Sequence, residues 1–300
     1  MTLTLLLILY FVTGVVSRVS SKTCSMVVSA RTSRVRYLSY LVMTGIIACI
    51  VFFILGGFKL TFNLPTLLFS LVFALVCIAS VIANLSIYRF SSVAGAVVLS
   101  SFGSNLASLA VGAIVFRESI TERSVIRILF LFVAAVMAFI ETKRKEKSER
   151  RGMRDTVILG LLLLLLISAG AGNSLIMKLY GTAEGVSDNN SFFFLTNVVI
   201  IVFALIPLIA EIFKSHEVKS EILPLFRPIP LLAMTANTAT SNIMSLLSIS
   251  IYALMDVSVF NPMASAFGII AGLVASLIFR EKLGLFSYLA AAAAVVAVII

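Results

Sequence analysis

Long apolar segments constrain the fold of this chain more than any other feature. About 20 consecutive apolar residues span the hydrocarbon layer of a bilayer as a helix. The hydropathy pattern predicts ten such segments, at 2–17, 36–55, 65–86, 92–115, 124–140, 156–177, 191–213, 229–250, 257–279 and 284–300. The run of leucines from Leu161 to Leu166 excludes the alternation of a transmembrane β-strand. The sequence therefore predicts an all-α polytopic membrane protein with about ten transmembrane helices.

The composition excludes several other classes of protein. Hydrophobic residues make up 61% of the chain and charged residues only 12%, whereas a soluble domain is about half apolar and about a quarter charged. Disordered chains are polar, so disorder is excluded as well. The net charge of +10 has no polar domain to carry it, which predicts a lipid bilayer rather than nucleic acid as partner. The cysteines number only three, and two of them, Cys49 and Cys77, lie inside apolar segments, which excludes a disulfide scaffold.

The chain also repeats itself. The hexapeptide Ala113–Glu118 resembles Ser276–Glu281, 163 positions later, and both end in Phe-Arg-Glu. The tripeptide Ser-Ile-Tyr at 86–88 recurs at 250–252, 164 positions later. We therefore predict a first five-helix repeat at 1–141, a charged connection at 142–155 and a second five-helix repeat at 156–300. Because five is odd, the second repeat enters the membrane with opposite polarity. Such inverted repeats are typical of transporters with a site near the midplane.

Polar side chains form stripes along several of these segments. Polar groups in lipid are costly and face a cavity or another helix. The residues predicted to line a substrate cavity are Asn84, Tyr88, Ser101, Asn105, Asn173, Thr238, Asn242, Tyr252 and Asn261. Helix packing is the alternative, and for a single Ser or Thr it is the commoner role. The amides favour substrate contact, because an unpaired buried amide is costly. Pro262 frees a backbone carbonyl near Ser258, which predicts a hinge or a ligand acceptor.

The acidic residues indicate the class of substrate. All 13 lie in loops or near the ends of the apolar segments. Proton-coupled exporters of lipophilic cations need a central carboxylate, so a neutral or zwitterionic solute fits better. For an enzyme we sought metal-ligating or nucleophilic clusters, and His216, the single histidine, lies in a charged connection. The sequence predicts no catalytic residue, no metal and no cofactor.

The repeated motifs resemble the EamA-like branch of the drug/metabolite transporter superfamily. The resemblance rests on Phe-Arg-Glu followed by Ser-Ile-Thr at 119–121 or Lys-Leu-Gly at 282–284, on Tyr88 and Tyr252, and on Pro262. It implies a central cavity formed by the first four helices of each repeat, with the Glu of each motif ending a fourth helix. The chain departs from the family pattern in having no Trp, and in having Leu99 where the first repeat would carry a proline.

Together these features predict a transporter of a small polar or zwitterionic metabolite, such as an amino acid exporter, that works by alternating access. Export of hydrophobic drugs or cations stays open, as does a non-transporting role as a lipid-handling enzyme or scaffold. The short connections suit a bacterial inner membrane, and a homodimer is also open. Most of the 23 Lys and Arg follow the odd-numbered segments, which places both termini outside. The family pattern places both inside, so the orientation stays open.

Overall fold

The computed structural model describes residues 2–25, 34–87, 93–119, 121–145, 153–214, 218–280 and 284–300. Within these ranges the secondary structure is helical, with no strand. The helices are α1 (Leu3–Ser25), α2 (Arg34–Leu55), α3 (Leu64–Ile87), α4 (Val93–Val115), α5 (Glu122–Lys145), α6 (Met153–Thr182), α7 (Asn189–Lys214), α8 (Val218–Ile222), α9 (Pro228–Tyr252), α10 (Val257–Ile278) and α11 (Leu285–Ile299). A 3₁₀ turn, Leu223–Phe226, follows α8. Each predicted apolar segment coincides with one of the longer helices.

Five of the described helices are long and apolar enough to cross a membrane. The segments are Leu3–Cys24, Arg34–Leu55, Gly160–Thr182, Asn189–Phe213 and Val257–Ala275. Apolar side chains also cover outer faces, as on α3, where Leu67, Leu71 and Leu75 are between 40% and 46% exposed. A face of this kind is stable in lipid, and a helix is the structure that pairs its own backbone groups there. The protein is therefore all-helical and membrane-embedded.

The chain folds into two compact units, and each takes helices from both predicted repeats. Unit 1 comprises Met1–Leu75 and Tyr180–Ser250, and unit 2 comprises Val76–Leu179 and Ile251–Ile300. The compact units therefore divide the chain differently from the sequence repeats.

Unit 1 is built around the antiparallel pair α2 and α7. Val35 and Val42 of α2 pack against Leu208 and Ala204 of α7. Residue numbers rise along one helix and fall along the other, so the two helices are antiparallel. Towards the other end of this pair the core becomes aromatic. Phe52 stacks on Phe193 with 5.1 Å between ring centroids, and Tyr180 stacks on Phe192 at 4.1 Å. In the same unit α1 packs along α9.

Unit 2 contains two further antiparallel pairs. In the pair α4 and α10, Asn105 contacts Ser265, and the segment after α4 reaches the first turn of α10. In the pair α5 and α11, alanines form most of the interface: Leu131 packs with Ala294 and Ala297, and further along α5 Ala134 packs with Ala290 and Ala293. Small residues let membrane helices approach closely.

Equivalent helices of the two predicted repeats are the partners in all three pairs. Counting the longer helices, α2 and α7 are second in their repeats, α4 and α10 are fourth, and α5 and α11 are fifth. The two Phe-Arg-Glu copies also end their helices alike. Arg117 and Arg280 both adopt a left-handed φ of 53°, which is uncommon for a residue with a side chain. In both copies the Phe N–H donates to the carbonyl four residues earlier, at 3.2 Å and 3.0 Å.

Candidate functional site

One polar face of α9 packs along α1 in unit 1. Asn237, Ser241, Met244 and Ser248 lie at helical spacing on this face. The Ser17 hydroxyl donates to Asn237 Oδ1 at 3.3 Å and lies 3.0 Å from Ser241 Oγ. One turn away on α1, Gly14 faces Met244, and a Cβ built on Gly14 would lie 3.5 Å from Met244 Cε. Tyr10 hydrogen-bonds Ser248 further along, so the two helices run antiparallel with their polar groups paired.

The neighbouring face of α9 carries two polar side chains, Thr238 and Asn242, that differ from those facing α1. Thr238 and Asn242 are one turn apart and lie one residue, about 100°, around the helix from Asn237 and Ser241. Thr238 is only 7% exposed. Its Oγ1 and the Asn242 Nδ2 are buried and make no hydrogen bond to any described residue. A buried donor left unpaired costs about 1–3 kcal/mol, which makes these two atoms candidates for contact with another polar molecule.

A second polar cluster lies in unit 2, where α6, the end of α9 and α10 meet. The Tyr252 hydroxyl donates to Asn261 Oδ1 and lies 3.2 Å from Ser174 Oγ. Asn261 Nδ2 donates to Ser174 Oγ at 2.9 Å, and the Ser174 hydroxyl lies within hydrogen-bond distance, 3.2 Å, of the Gly170 carbonyl. The Phe260 ring packs edge-on against Tyr252 at 4.9 Å. Here the buried amide and phenol are satisfied by neighbouring helices.

Two other predicted amides are also paired within unit 2. Asn105 donates to Ser265 Oγ at 2.9 Å, and the Ser265 hydroxyl lies 3.2 Å from Asn105 Oδ1. Asn173 Oδ1 accepts from the Cys77 thiol of α3 at 3.8 Å. These contacts join α4 to α10 and α6 to α3, and they are of the kind that holds membrane helices together.

Pro262 lies inside α10, directly after Asn261, and the helix continues through it. Proline lacks an N–H, so the carbonyl one turn earlier, that of Ser258, loses its usual helical partner. Ser258 is 1% exposed, and its Oγ has no hydrogen bond to any described residue. The predicted hinge position therefore lies one turn after a buried hydroxyl that has no hydrogen bond to any described residue.

The structure places the predicted cavity residues in different surroundings. It brings Tyr252 and Asn261 together and pairs Asn105 and Asn173 with other helices. The Thr238 hydroxyl and the Asn242 amide nitrogen have no hydrogen bond within the described part of the chain. Tyr88 lies outside the described residues, as do the side chains of Asn84 and Ser101. Asn237 and Ser241 were not predicted, although their i, i+4 spacing on α9 is the same signal that identified Thr238 and Asn242.

The loops at one end of unit 1 form a hydrogen-bonded network around Asp188, the N-cap of α7. Asp188 Oδ2 accepts from the Ser191 N–H at 3.1 Å, and its Oδ1 accepts from the hydroxyls of Ser191 and Thr61 at 2.6 Å and 3.0 Å. Burial raises the pKa of Asp188, but these hydrogen bonds outweigh it, so the pKa lies below the ordinary value for aspartate. Asn63 Nδ2 donates to the Gly185 carbonyl at 2.8 Å, which ties the α2–α3 loop to the α6–α7 loop.

Metal chemistry has no candidate site in the part of the chain that the structure describes. No three His, Cys, Asp or Glu residues there come together in a group that could hold a metal ion.

Comparison with known proteins identifies the fold and not a family. No family model matches the chain, and no curated protein sequence does so. Among solved structures 27 chains match. One of them, described only as "Crystal structure of protein", has a TM-score of 0.69 at 13% sequence identity, and the match covers 97% of this chain and 95% of that chain. At this identity the similarity shows a shared fold over nearly the whole chain.

Proposed function

We propose that this protein is a transmembrane transporter of the EamA-like type, with ten membrane-spanning helices in two inverted five-helix repeats. The observation that carries the proposal is the antiparallel pairing of α2 with α7, α4 with α10 and α5 with α11. Helices that are equivalent in an inverted repeat run in opposite directions through the membrane, and a pseudo-two-fold axis in the membrane plane brings such helices together. The matching left-handed arginines, Arg117 and Arg280, support the same duplication.

The solute is a small polar or zwitterionic metabolite, such as an amino acid, moved by alternating access. The unpaired atoms of Thr238 and Asn242 support this solute, because both residues are neutral and can donate hydrogen bonds to a carbonyl or carboxylate. A hydrophobic cation offers these donors no hydrogen-bond acceptor, so they would contribute little to its binding. The proposal also places the protein in a bacterial inner membrane.

The test is counterflow of radiolabelled L-alanine into proteoliposomes. We expect saturable counterflow by the wild-type protein, and a KM about fivefold or more higher for both Thr238→Val and Asn242→Leu, because each removes about 1 kcal/mol of hydrogen bonding to the solute. Thr235→Val is the matched control. Thr235 is exposed on the same helix, and its hydroxyl already donates to the Leu231 carbonyl at 2.9 Å. Equal effects at Thr235 and Thr238 would contradict the site.

A non-transporting membrane protein is a second candidate, favoured by the paired groups of unit 2. Asn105, Tyr252 and Asn261 already satisfy one another or neighbouring helices, as residues do when their role is packing. Absence of counterflow for L-alanine and for tetraphenylphosphonium would favour this candidate. Counterflow of tetraphenylphosphonium alone would favour export of hydrophobic cations.

A further inference from the structure

The N-terminus of α10 is capped by a carboxylate from outside the helix. Asp256 is the N-cap residue, but its side chain makes no capping hydrogen bond. Glu118 takes this role: Oε1 accepts from the Val257 N–H at 2.9 Å and Oε2 accepts from the Ser258 N–H at 3.0 Å. The first four N–H groups of a helix have no partner within it, and a negative charge is favourable at this positive end of the helix dipole.

Two features at the end of α4 place the carboxylate there. Arg117, with its φ of 53°, turns the chain back, and the Glu118 N–H then donates to the Gly112 carbonyl at 3.0 Å. Gly112 leaves room for the carboxylate, because a Cβ at this position would lie 2.6 Å from Glu118 Oε2 and 3.6 Å from the Ser258 nitrogen. A side chain at position 112 would therefore push the carboxylate away from the amides of α10.

A second charged group holds the same corner of unit 2. Lys178 of α6 donates from Nζ to the Met255 carbonyl at 2.9 Å, just before α10 begins. In the connection between α9 and α10, the Lys178 ammonium therefore donates to the Met255 carbonyl, and the Glu118 carboxylate accepts from the first two N–H groups of α10. The first turn of α10 carries Ser258, whose hydroxyl has no partner within the described ranges, and leads directly to Asn261 and Pro262. Glu118 therefore contacts the backbone that orients these polar groups.

We propose that Glu118 is a positioning residue of the transporter: its carboxylate fixes the first turn of α10 against the end of α4 and so orients Ser258 and Asn261. The inference rests on the proposed function for its effect on transport, but the capping contact can be tested without it. The second Phe-Arg-Glu copy has Ala275 where the first has Gly112, so a methyl group occupies the position that is left open for the Glu118 carboxylate. The space that Gly112 leaves for a carboxylate is therefore specific to the first copy.

The capping contact is tested by amide hydrogen exchange of the purified protein in detergent. In Glu118→Gln we expect the Val257 and Ser258 amides to exchange about tenfold faster, as for loss of a charge-assisted hydrogen bond. Gly112→Ala should have the same effect by displacing the carboxylate, and the double variant should exchange no faster than either single variant. Gly272→Ala is the control, because a Cβ there meets nothing within 4 Å. Unchanged exchange in Glu118→Gln, or additive effects in the double variant, would overturn the proposal.

The consequence for transport is tested by L-alanine counterflow with the same variants. A positioning role predicts a KM raised about fivefold in Glu118→Gln and Gly112→Ala, because the Ser258 hydroxyl loses its orientation towards the solute. Vmax should stay within about twofold of the wild type, because the amount of folded protein is unchanged. A lower Vmax with unchanged KM would contradict the positioning role. If the wild-type protein shows no counterflow, the proposed function fails, and the exchange measurements still decide whether Glu118 caps α10.

Discussion

The Thr238 hydroxyl combines deep burial with the absence of a partner among the described residues. Thr238→Val replaces this hydroxyl by a methyl group of the same shape and removes its desolvation cost. We therefore expect the variant to be more stable than the wild type by up to about 1 kcal/mol while it transports less well. Thermal unfolding in detergent measures the stability, and Thr235→Val should change it little. A lower melting temperature for Thr238→Val would mean that the hydroxyl has a partner.

Asp188 makes the stability of unit 1 depend on pH. Its pKa is lowered in the folded protein, so its contribution is complete above the ordinary aspartate pKa of about 3.9 and is lost as the pH falls through the lower folded value. Asp188→Ala should lower the stability by about 1 kcal/mol at neutral pH, as for loss of an N-cap. The difference in melting temperature between the wild type and Asp188→Ala should be constant at neutral pH and should shrink as the pH falls below the ordinary aspartate pKa of about 3.9. A difference that is constant with pH would contradict the role of the carboxylate.

At the scale of helices, two glycines of α6 provide a matched pair. Gly170 packs against α4, where a Cβ would lie 2.4 Å from Ser104 Oγ, whereas a Cβ on Gly160 meets nothing within 4 Å. Gly170→Ala should destabilise the protein by about 1–3 kcal/mol through overpacking. Gly160→Ala should leave the stability unchanged or raise it by up to about 1 kcal/mol, because alanine favours a helix. Thermal unfolding of both variants checks this, and similar losses for the two would rule out a close approach specific to Gly170.

Across the entire chain, the proposed inverted repeat predicts a specific membrane topology. With ten crossings, the two Phe-Arg-Glu motifs lie on opposite faces of the membrane. In a background without the three native cysteines, a membrane-impermeant maleimide should label only one of Ser119→Cys and Gly284→Cys in intact cells. Both should be labelled after permeabilisation. Labelling of both variants in intact cells would exclude the inverted arrangement, and the variant that reacts would also decide the orientation.

Much of the architecture could be predicted from the sequence, because apolar segments of membrane-spanning length have few stable alternatives to a helix. The predicted bounds of α4 and α10 agree with the observed ones to within a residue. The end of α1 was placed too early, at residue 17, because Arg18 and Lys22 interrupt the apolar run, yet the helix continues to Ser25. Helical hydrogen bonds persist past charged side chains that can reach the membrane surface.

The helical, membrane-embedded character of the chain and the duplication of its motifs can be recognised from local hydropathy and from comparison of the chain with itself. The pairing of its polar groups depends on tertiary contacts. Asn242 and Asn261 have similar surroundings in the sequence, but Asn261 contacts Tyr252 and Ser174, whereas the amide nitrogen of Asn242 contacts no hydrogen-bond partner among the residues that the structure describes. The cap that Glu118 provides for α10 is likewise tertiary, because 139 positions separate its carboxylate from the Val257 amide. Helical periodicity assigns a residue to a face, whereas the partner across that face depends on how distant segments pack.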